Sequence, residues 1–317
     1  MKPFSDPTRP LTVLTDVFSR ATGFLRRLAA RRANAPRKGI LDEYVAAPPS
    51  AQNAIDALPG WNTALPPEFG LTAGDVHLYS DPRLQWAIDQ FGSLKDRRIL
   101  ELGPLEASHT LMLERQGAAA IDAVEANKLS FMRCLVVKEL VGLTTARFHL
   151  GDFTAWLERP GQRYDFVVAS GVLYHMADPI RLVELVAACT DAVFLWTHYV
   201  SEAAMPIGDS RRWPFVGPGR VVHRHGIDIR LYDRSYRGAW RSKSFCGGMR
   251  DMHCWMERDD LLALLGALGF DDVRVGHDDP DHRFGPSFSV FARRTAAVAS
   301  APTDHEEPLS PDPAAPL

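Results

Sequence analysis

A few residues stand at spacings that chemistry can use. Glu125 lies 22 residues after Gly103. A carboxylate at the end of a second strand, one glycine turn and one helix beyond the first, can accept hydrogen bonds from both hydroxyls of a ribose. Asp152 can accept from an exocyclic ring amine such as that of adenine, and Phe153 beside it can stack on the ring; capping a helix is the other ordinary use of such an aspartate. His175 and His198 are imidazoles that can take a proton near neutral pH. The chemistry implied is a nucleoside-containing cofactor with proton transfer at the same rim. A pyrophosphate-binding G-x-G-x-x-G turn is absent, because Gly103 is followed by Pro104, Leu105, Glu106 and Ala107. Glu106 in that turn would repel a pyrophosphate, whereas a cationic sulfonium meets no such penalty.

The elements that must hold these residues follow from the local pattern. Arg98–Leu102 is a short apolar run of the kind buried in parallel sheets, ended by Gly103 and Pro104. Residues 107–116 predict a helix stopped near Gly117, and Ala119–Val124 predicts a second strand running into Glu125. An apolar-striped helix over 129–141 ends at Gly142, and 147–150 gives a third strand leading to Gly151-Asp152-Phe153. The fourth strand is Tyr164–Ser170, the fifth Ala192–Thr197, each followed at once by one of the two histidines' loops. Asp81-Pro82 and Asp178-Pro179 each place an N-cap before a proline at the first helical position. An amphipathic helix over 257–268 and strands over 270–275 and 287–293 close the pattern.

With these residues in view, the segment Glu101-Leu102-Gly103 resembles motif I of class I S-adenosylmethionine-dependent methyltransferases, with Leu105 and Ala107 where many members have glycine. The run YDFVVASGVLYHMADP over 164–179 resembles motif IV of the same family and is the more specific match. The resemblance spans roughly residues 80–294. It implies an α/β, Rossmann-like, seven-stranded mostly parallel sheet with helices on both faces and a final antiparallel hairpin strand. It also implies S-adenosyl-L-methionine as cofactor, held by Glu101, Gly103, Pro104, Leu105, Glu125, Ala126, Asn127, Asp152, Phe153, Ser170, Gly171 and Tyr174. The expected activity moves a methyl group to an O or N atom of a small-molecule or sugar acceptor. His198 and His175 are the candidate general bases, each with an ordinary alternative as a loop histidine bonded to backbone; Tyr174, Tyr199 and Glu202 are secondary.

Composition sets the outer bounds. The chain has 317 residues, 24% charged, with a formal net charge of −3, which gives no global case for nucleic acid. The four cysteines form no CxxC pair, so a reduced, cytoplasmic protein is expected. His198, Cys246, His253 and Cys254 match no zinc spacing, and no metal is expected. Residues 1–40 carry nine Lys/Arg against two Asp, on an amphipathic helix over 11–33 that would pack on its own domain or touch an anionic membrane surface. Residues 41–80 are rich in proline and glycine with large apolar side chains, and read as a lid or linker before a methyltransferase domain over 81–294. Residues 295–317 read as a disordered acidic tail. Residues 200–255 do not read as regular core. Ten Lys/Arg against five acids, with Trp213, Tyr232, Tyr236 and Trp240 interleaved, suggest an acceptor-binding insert for an anionic or ring-bearing substrate. The rival readings are a tRNA-modifying relative and, below it, a nicotinamide-dependent oxidoreductase. No tyrosine has lysine four residues on, as a short-chain dehydrogenase would require.

Overall fold

The computed structural model describes residues 44–295; the expected N-terminal helix and acidic tail lie outside the described residues, apart from Thr295. The chain divides into two units, residues 1–53 and 54–317, and the fold below is that of the second. Helix α1 (Pro82–Phe91) is capped by Asp81, whose carboxylate accepts from the Arg83 amide. It leads into β1 (Arg98–Leu102), α2 (Ser108–Arg115), β2 (Ala120–Glu125), α3 (Lys128–Val141), β3 (Ala146–Leu150) and the short α4 (Phe153–Leu157). Then come β4 (Phe166–Ser170), α5 (Pro179–Cys189) and β5 (Ala192–His198).

Seven strands form one sheet in the order β3-β2-β1-β4-β5-β10-β9, where β9 (Asp272–Asp279) and β10 (Ser287–Arg293) close the chain after α6 (Arg258–Ala267). The first five run parallel, and β10 lies antiparallel between β5 and β9. Both faces are buried, which is why these strands read as unbroken apolar runs rather than alternating ones. Successive residues still point to opposite sides. Leu100, Leu102, Val167 and Ala169 enter one core with α5, while Ile99, Phe166 and Val168 enter the other with α1 and α2. Ile55, Leu65 and Tyr79 are buried in this second core. No described helix is long and apolar enough to cross a membrane.

Residues 200–255 depart from the expectation of an irregular insert. They build a separate three-stranded antiparallel sheet, β6 (Arg220–Arg224), β7 (Ile227–Ser235) and β8 (Met252–Met256), with β7 in the middle. The alternation is present in the sequence, since Ile229 and Leu231 are buried while Arg230 between them is exposed. Its arginines hide it from a reading that looks for continuous apolar runs. His225 and Gly226, at φ 52° and 77°, form the two-residue turn that joins β6 to β7. Positive φ at both positions matches the right-handed twist of a hairpin.

Candidate active site

The parallel strands place their carboxyl ends along one edge. Gly103 follows β1 and its amide bonds the Val124 carbonyl; Glu125 ends β2 opposite Leu150 of β3. The Gly151 amide bonds the Glu125 carbonyl, and the Gly171 amide that of Trp196. The expected cofactor residues from Glu101 to Tyr174 therefore sit on adjacent strand tips.

Glu125 is buried, and its two oxygens accept from the amides of Leu105 at 3.2 Å and Asn127 at 2.7 Å. Burial raises its pKa although these amides and that of Ala126 pull it down. The amides fix the carboxylate while leaving lone pairs for a ligand. Asn127 itself caps α3, accepting from Leu129 and Ser130. Asp152 uses one oxygen, Oδ1, to cap α4 through the Thr154 amide and hydroxyl. The cap accordingly leaves its other oxygen available, so the two expected uses of Asp152 do not compete.

The turn after β1 keeps a glycine-like backbone without the glycines. Leu105 and Ala107 have φ of 54° and 59°, and Gly103 has 68°. A Cβ on Gly103 would lie 2.7 Å from Val172 Cγ1, so only glycine fits there. The side chains the turn points inward settle a different matter. Glu106 is fully buried and pairs with buried Arg133 at 3.0 Å. It also accepts from the Asn62 and Thr63 amides at 2.9 and 2.7 Å, and from the Thr63 hydroxyl. Arg133 bonds the Pro59 carbonyl as well. Glu106 is thus neutralised and tied to residues 59–63, and the expected repulsion of a pyrophosphate by its charge does not operate. The negative charge on this side comes from Glu101 and Glu125. Glu101 is buried with only the Thr110 hydroxyl donating to it, at 2.6 Å. Burial first, and the nearby Glu125 charge, push its pKa up to about 6. The nearby His109 pulls it the other way, but neither carboxylate has an ion-pair partner among the described residues, and two such buried groups suit a positively charged ligand.

The histidines form the second half of the site. The Tyr174 ring lies 4.1 Å from His175, 4.6 Å from His198 and 6.0 Å from Trp255. His198 is buried and stacks on Trp255 at 4.9 Å, with 6° between planes. Its Nδ1 faces the carbonyls of Gly285 at 2.9 Å and Pro286 at 3.2 Å. Carbonyls only accept, so Nδ1 carries the proton. Burial pushes the ring's pKa down to about 4, and Nε2 is left as a bare acceptor. His175 has the opposite tautomer. Its Nδ1 is 2.6 Å from the Tyr236 hydroxyl, which already accepts from the Gly248 amide at 2.7 Å. Burial holds Tyr236 protonated, with its pKa near 12, and its proton needs an acceptor. Nδ1 of His175 supplies one, so the proton of this neutral ring sits on Nε2. His198 thus leaves Nε2 as its acceptor, while the Nδ1 acceptor of His175 is already taken by Tyr236.

Sequence reasoning did not single out the remaining members of this half. Arg234 lies 4.7 Å over the Trp255 ring and 3.2 Å from Nε2 of His253; His253 stacks on Tyr236 at 4.1 Å. Arg83 lies 4.2 Å over Trp196. Of the four interleaved aromatics, Tyr236 joins this cluster and Tyr232 donates to Glu257 at 2.6 Å, while Trp213 and Trp240 are exposed. The alternation along β7, which puts Leu231 and Arg234 on particular faces, was the signal available. Among the described residues no group of three His, Cys, Asp or Glu is placed to hold a metal ion. Cys254 instead faces the Asp233 carboxylate and the Ala177 carbonyl.

A family model described as a methyltransferase domain matches residues 76–275. The chain belongs to this family. It is a class I S-adenosylmethionine-dependent methyltransferase, and the nicotinamide alternative ends there. Among solved structures, the methyltransferase is similar to the N-terminal domain of EvdMO1 with S-adenosylhomocysteine bound. The two are 25% identical, over 77% of this chain and 95% of that one, with a TM-score of 0.58. The same domain in the presence of S-adenosylhomocysteine and D-fucose gives 24% identity, the same coverage and a TM-score of 0.57. No curated protein matches the methyltransferase.

Proposed function

We propose that the methyltransferase carries a methyl group to a hydroxyl oxygen of a small, ring-bearing acceptor, with His198 as general base. The observation that carries this reading is the His198 tautomer: Nδ1–H anchored to two carbonyls, Nε2 bare, and the ring neutral well below pH 7. A hydroxyl needs such a group and a neutral amine does not. S-adenosylmethionine supplies a methyl carbon on positively charged sulfur. Glu125 accepts from its ribose hydroxyls, the free oxygen of Asp152 from its adenine amine, and Glu101 faces its cationic end. Gly103 allows the backbone to come close, with Pro104, Leu105, Ala126, Asn127, Phe153, Ser170, Gly171 and Tyr174 completing the walls. Bound there, the cofactor would supply the methyl carbon to the acceptor oxygen and keep the C–S electron pair on its sulfur. The hydroxyl proton passes to His198 Nε2. Holding the two reactants aligned in a dry site supplies most of the acceleration, about 7–11 kcal/mol.

A hydroxylated ring such as the D-fucose present with the EvdMO1 domain is the acceptor class to test first. The experiment transfers isotopically labelled methyl from S-adenosylmethionine to a panel of hydroxylated rings and their amino counterparts, with wild type and His198→Gln. The expected result is label on oxygen, a kcat lower by about 10²–10⁴ in the variant, and unchanged binding of S-adenosylhomocysteine. Equal turnover by the variant removes His198 as base, and label on nitrogen removes the hydroxyl acceptor.

A further inference from the structure

Among the described residues, the buried Arg133 and the half-buried arginines have oxygen partners with one departure, Arg212 and Arg293 bonding backbone carbonyls and the others carboxylates. Arg133 pairs with Glu106, Arg211 with Asp209 at 2.7 Å, and Arg83 with Asp81 at 2.6 Å. Arg234 has no carboxylate within ion-pair distance among the described residues. Its only polar contact of that kind is the neutral His253 ring, and its Nε is buried without a hydrogen-bond partner. The surroundings do nothing to balance its charge. His175, His198 and His253 all face it and are neutral, and Tyr174 and Tyr236 keep their protons. Other arginines of the insert are spent on local acids, Arg220 on Asp233, Arg224 on Glu184 and Arg230 on Glu257.

A half-buried guanidinium with its Nε buried and unpartnered carries a desolvation cost that a ligand's anion can offset. Arg234 and His198 lie against the same indole, that of Trp255. The charge of Arg234 also acts on the His198 ring and lowers its pKa, so the two groups share one neighbourhood. We propose that Arg234 is the counter-charge for an anionic acceptor: a ring-bearing hydroxyl compound whose carboxylate or phosphate takes the guanidinium while its hydroxyl meets His198. The inference rests on the hydroxyl-acceptor reading above and narrows its substrate class. Planar bidentate recognition of either anion is what a guanidinium does best, and the flanking Trp255 and Tyr174 rings give the acceptor ring apolar walls.

The test uses the full chain saturated with S-adenosylhomocysteine and measures binding of three probes by calorimetry: D-glucose, D-glucuronate and D-glucose 6-phosphate. At least one acid is expected to bind about ten-fold or more tightly than the neutral sugar, the preferred acid telling carboxylate from phosphate. Arg234→Gln is expected to bring that acid down to the level of glucose, Arg234→Lys to keep part of the preference, and both to bind S-adenosylhomocysteine as wild type does. Equal binding of acid and neutral sugar, no binding of either acid, or a preference that survives Arg234→Gln overturns the proposal. If the acid preference holds while His198→Gln leaves turnover intact, the base assignment fails and the anion site stands.

Discussion

The two halves of the site carry unbalanced charge of opposite sign. Under the tips of β1 and β2, Glu101 and Glu125 are buried with no ion-pair partner among the described residues. Across Tyr174, Arg234 is held among neutral histidines without an anion. Glu106–Arg133 is a buried pair of the same residue types that is closed on itself. The difference teaches how to tell a structural charge from one that awaits a ligand. The closed pair has its counter-charge within the chain, with amides and carbonyls around it, although Arg133 Nε is left without a partner. The open charges are satisfied only to the extent that fixes their orientation.

The sharpest way to break this contrast is to cut one charge of each kind. Glu106→Gln strands Arg133 in the core and is expected to cost about 3–5 kcal/mol in denaturant unfolding. Arg234→Gln removes a charge that the protein alone does not pair, so its unfolding midpoint stays level or rises. A comparable loss in both variants would erase the distinction. Next in size, Glu125→Ala removes the acceptor of two hydroxyls and the anchor of the Leu105 and Asn127 amides. Calorimetry with S-adenosylmethionine is expected to show affinity lower by about 100-fold, while acids at the Arg234 side bind as before in any complex that forms.

Smaller effects follow pH. Protonation of Glu101 removes the charge a cation needs, so affinity for S-adenosylmethionine should climb about ten-fold from pH 5 to 7 as the carboxyl ionises near 6. Glu101→Gln should flatten that slope. The cofactor-free protein responds in two directions. The raised Glu101 value gives stability that is present at acid pH and lost as pH rises through about 6. His198 and His253, both pushed down to about 4, give stability that is complete above 6.5 and lost as pH falls toward 4. Thermal melts of wild type and Glu101→Gln across this range separate the two. The smallest change is at the turn: Leu105→Gly relieves a left-handed backbone at φ 54° and should move stability by no more than about 1 kcal/mol, the relief being partly offset by glycine's entropy.

The cofactor half was legible in the sequence because its signals are local. A strand, a glycine, a helix and a terminal acid lie in one continuous stretch, and the structure reproduces Arg98–Leu102 and Ala120–Glu125 within a residue of expectation. What the stretch hid was the destination of Glu106. Its partner Arg133 lies 27 residues on, in the middle of a helix where arginine ordinarily reads as solvated. The loss of glycine at 105 and 107 was equally deceptive, since the backbone there keeps glycine's conformation with other residues. The half around His198 was harder because its members come from three places. Tyr174 and His198 follow core strands, but Arg234, His253 and Trp255 belong to a small sheet whose period of two is covered by charge. Composition showed that the insert was basic and aromatic. Only the register of β7 on β8, with Arg234 opposite His253, sets Arg234 apart from the exposed Arg230 on the same strand.

The ring of His198 is oriented by carbonyls 87 and 88 residues further along the chain. During synthesis the strands that face the cofactor leave the ribosome first, and the imidazole emerges with no anchor for its Nδ1. It gains one only when the last hairpin folds back and β10 slides in beside β5. A nascent chain halted before Gly285 thus has the nucleoside-facing strands but a swivelling imidazole. The orientation of this ring therefore waits on β10, the last strand among the described residues.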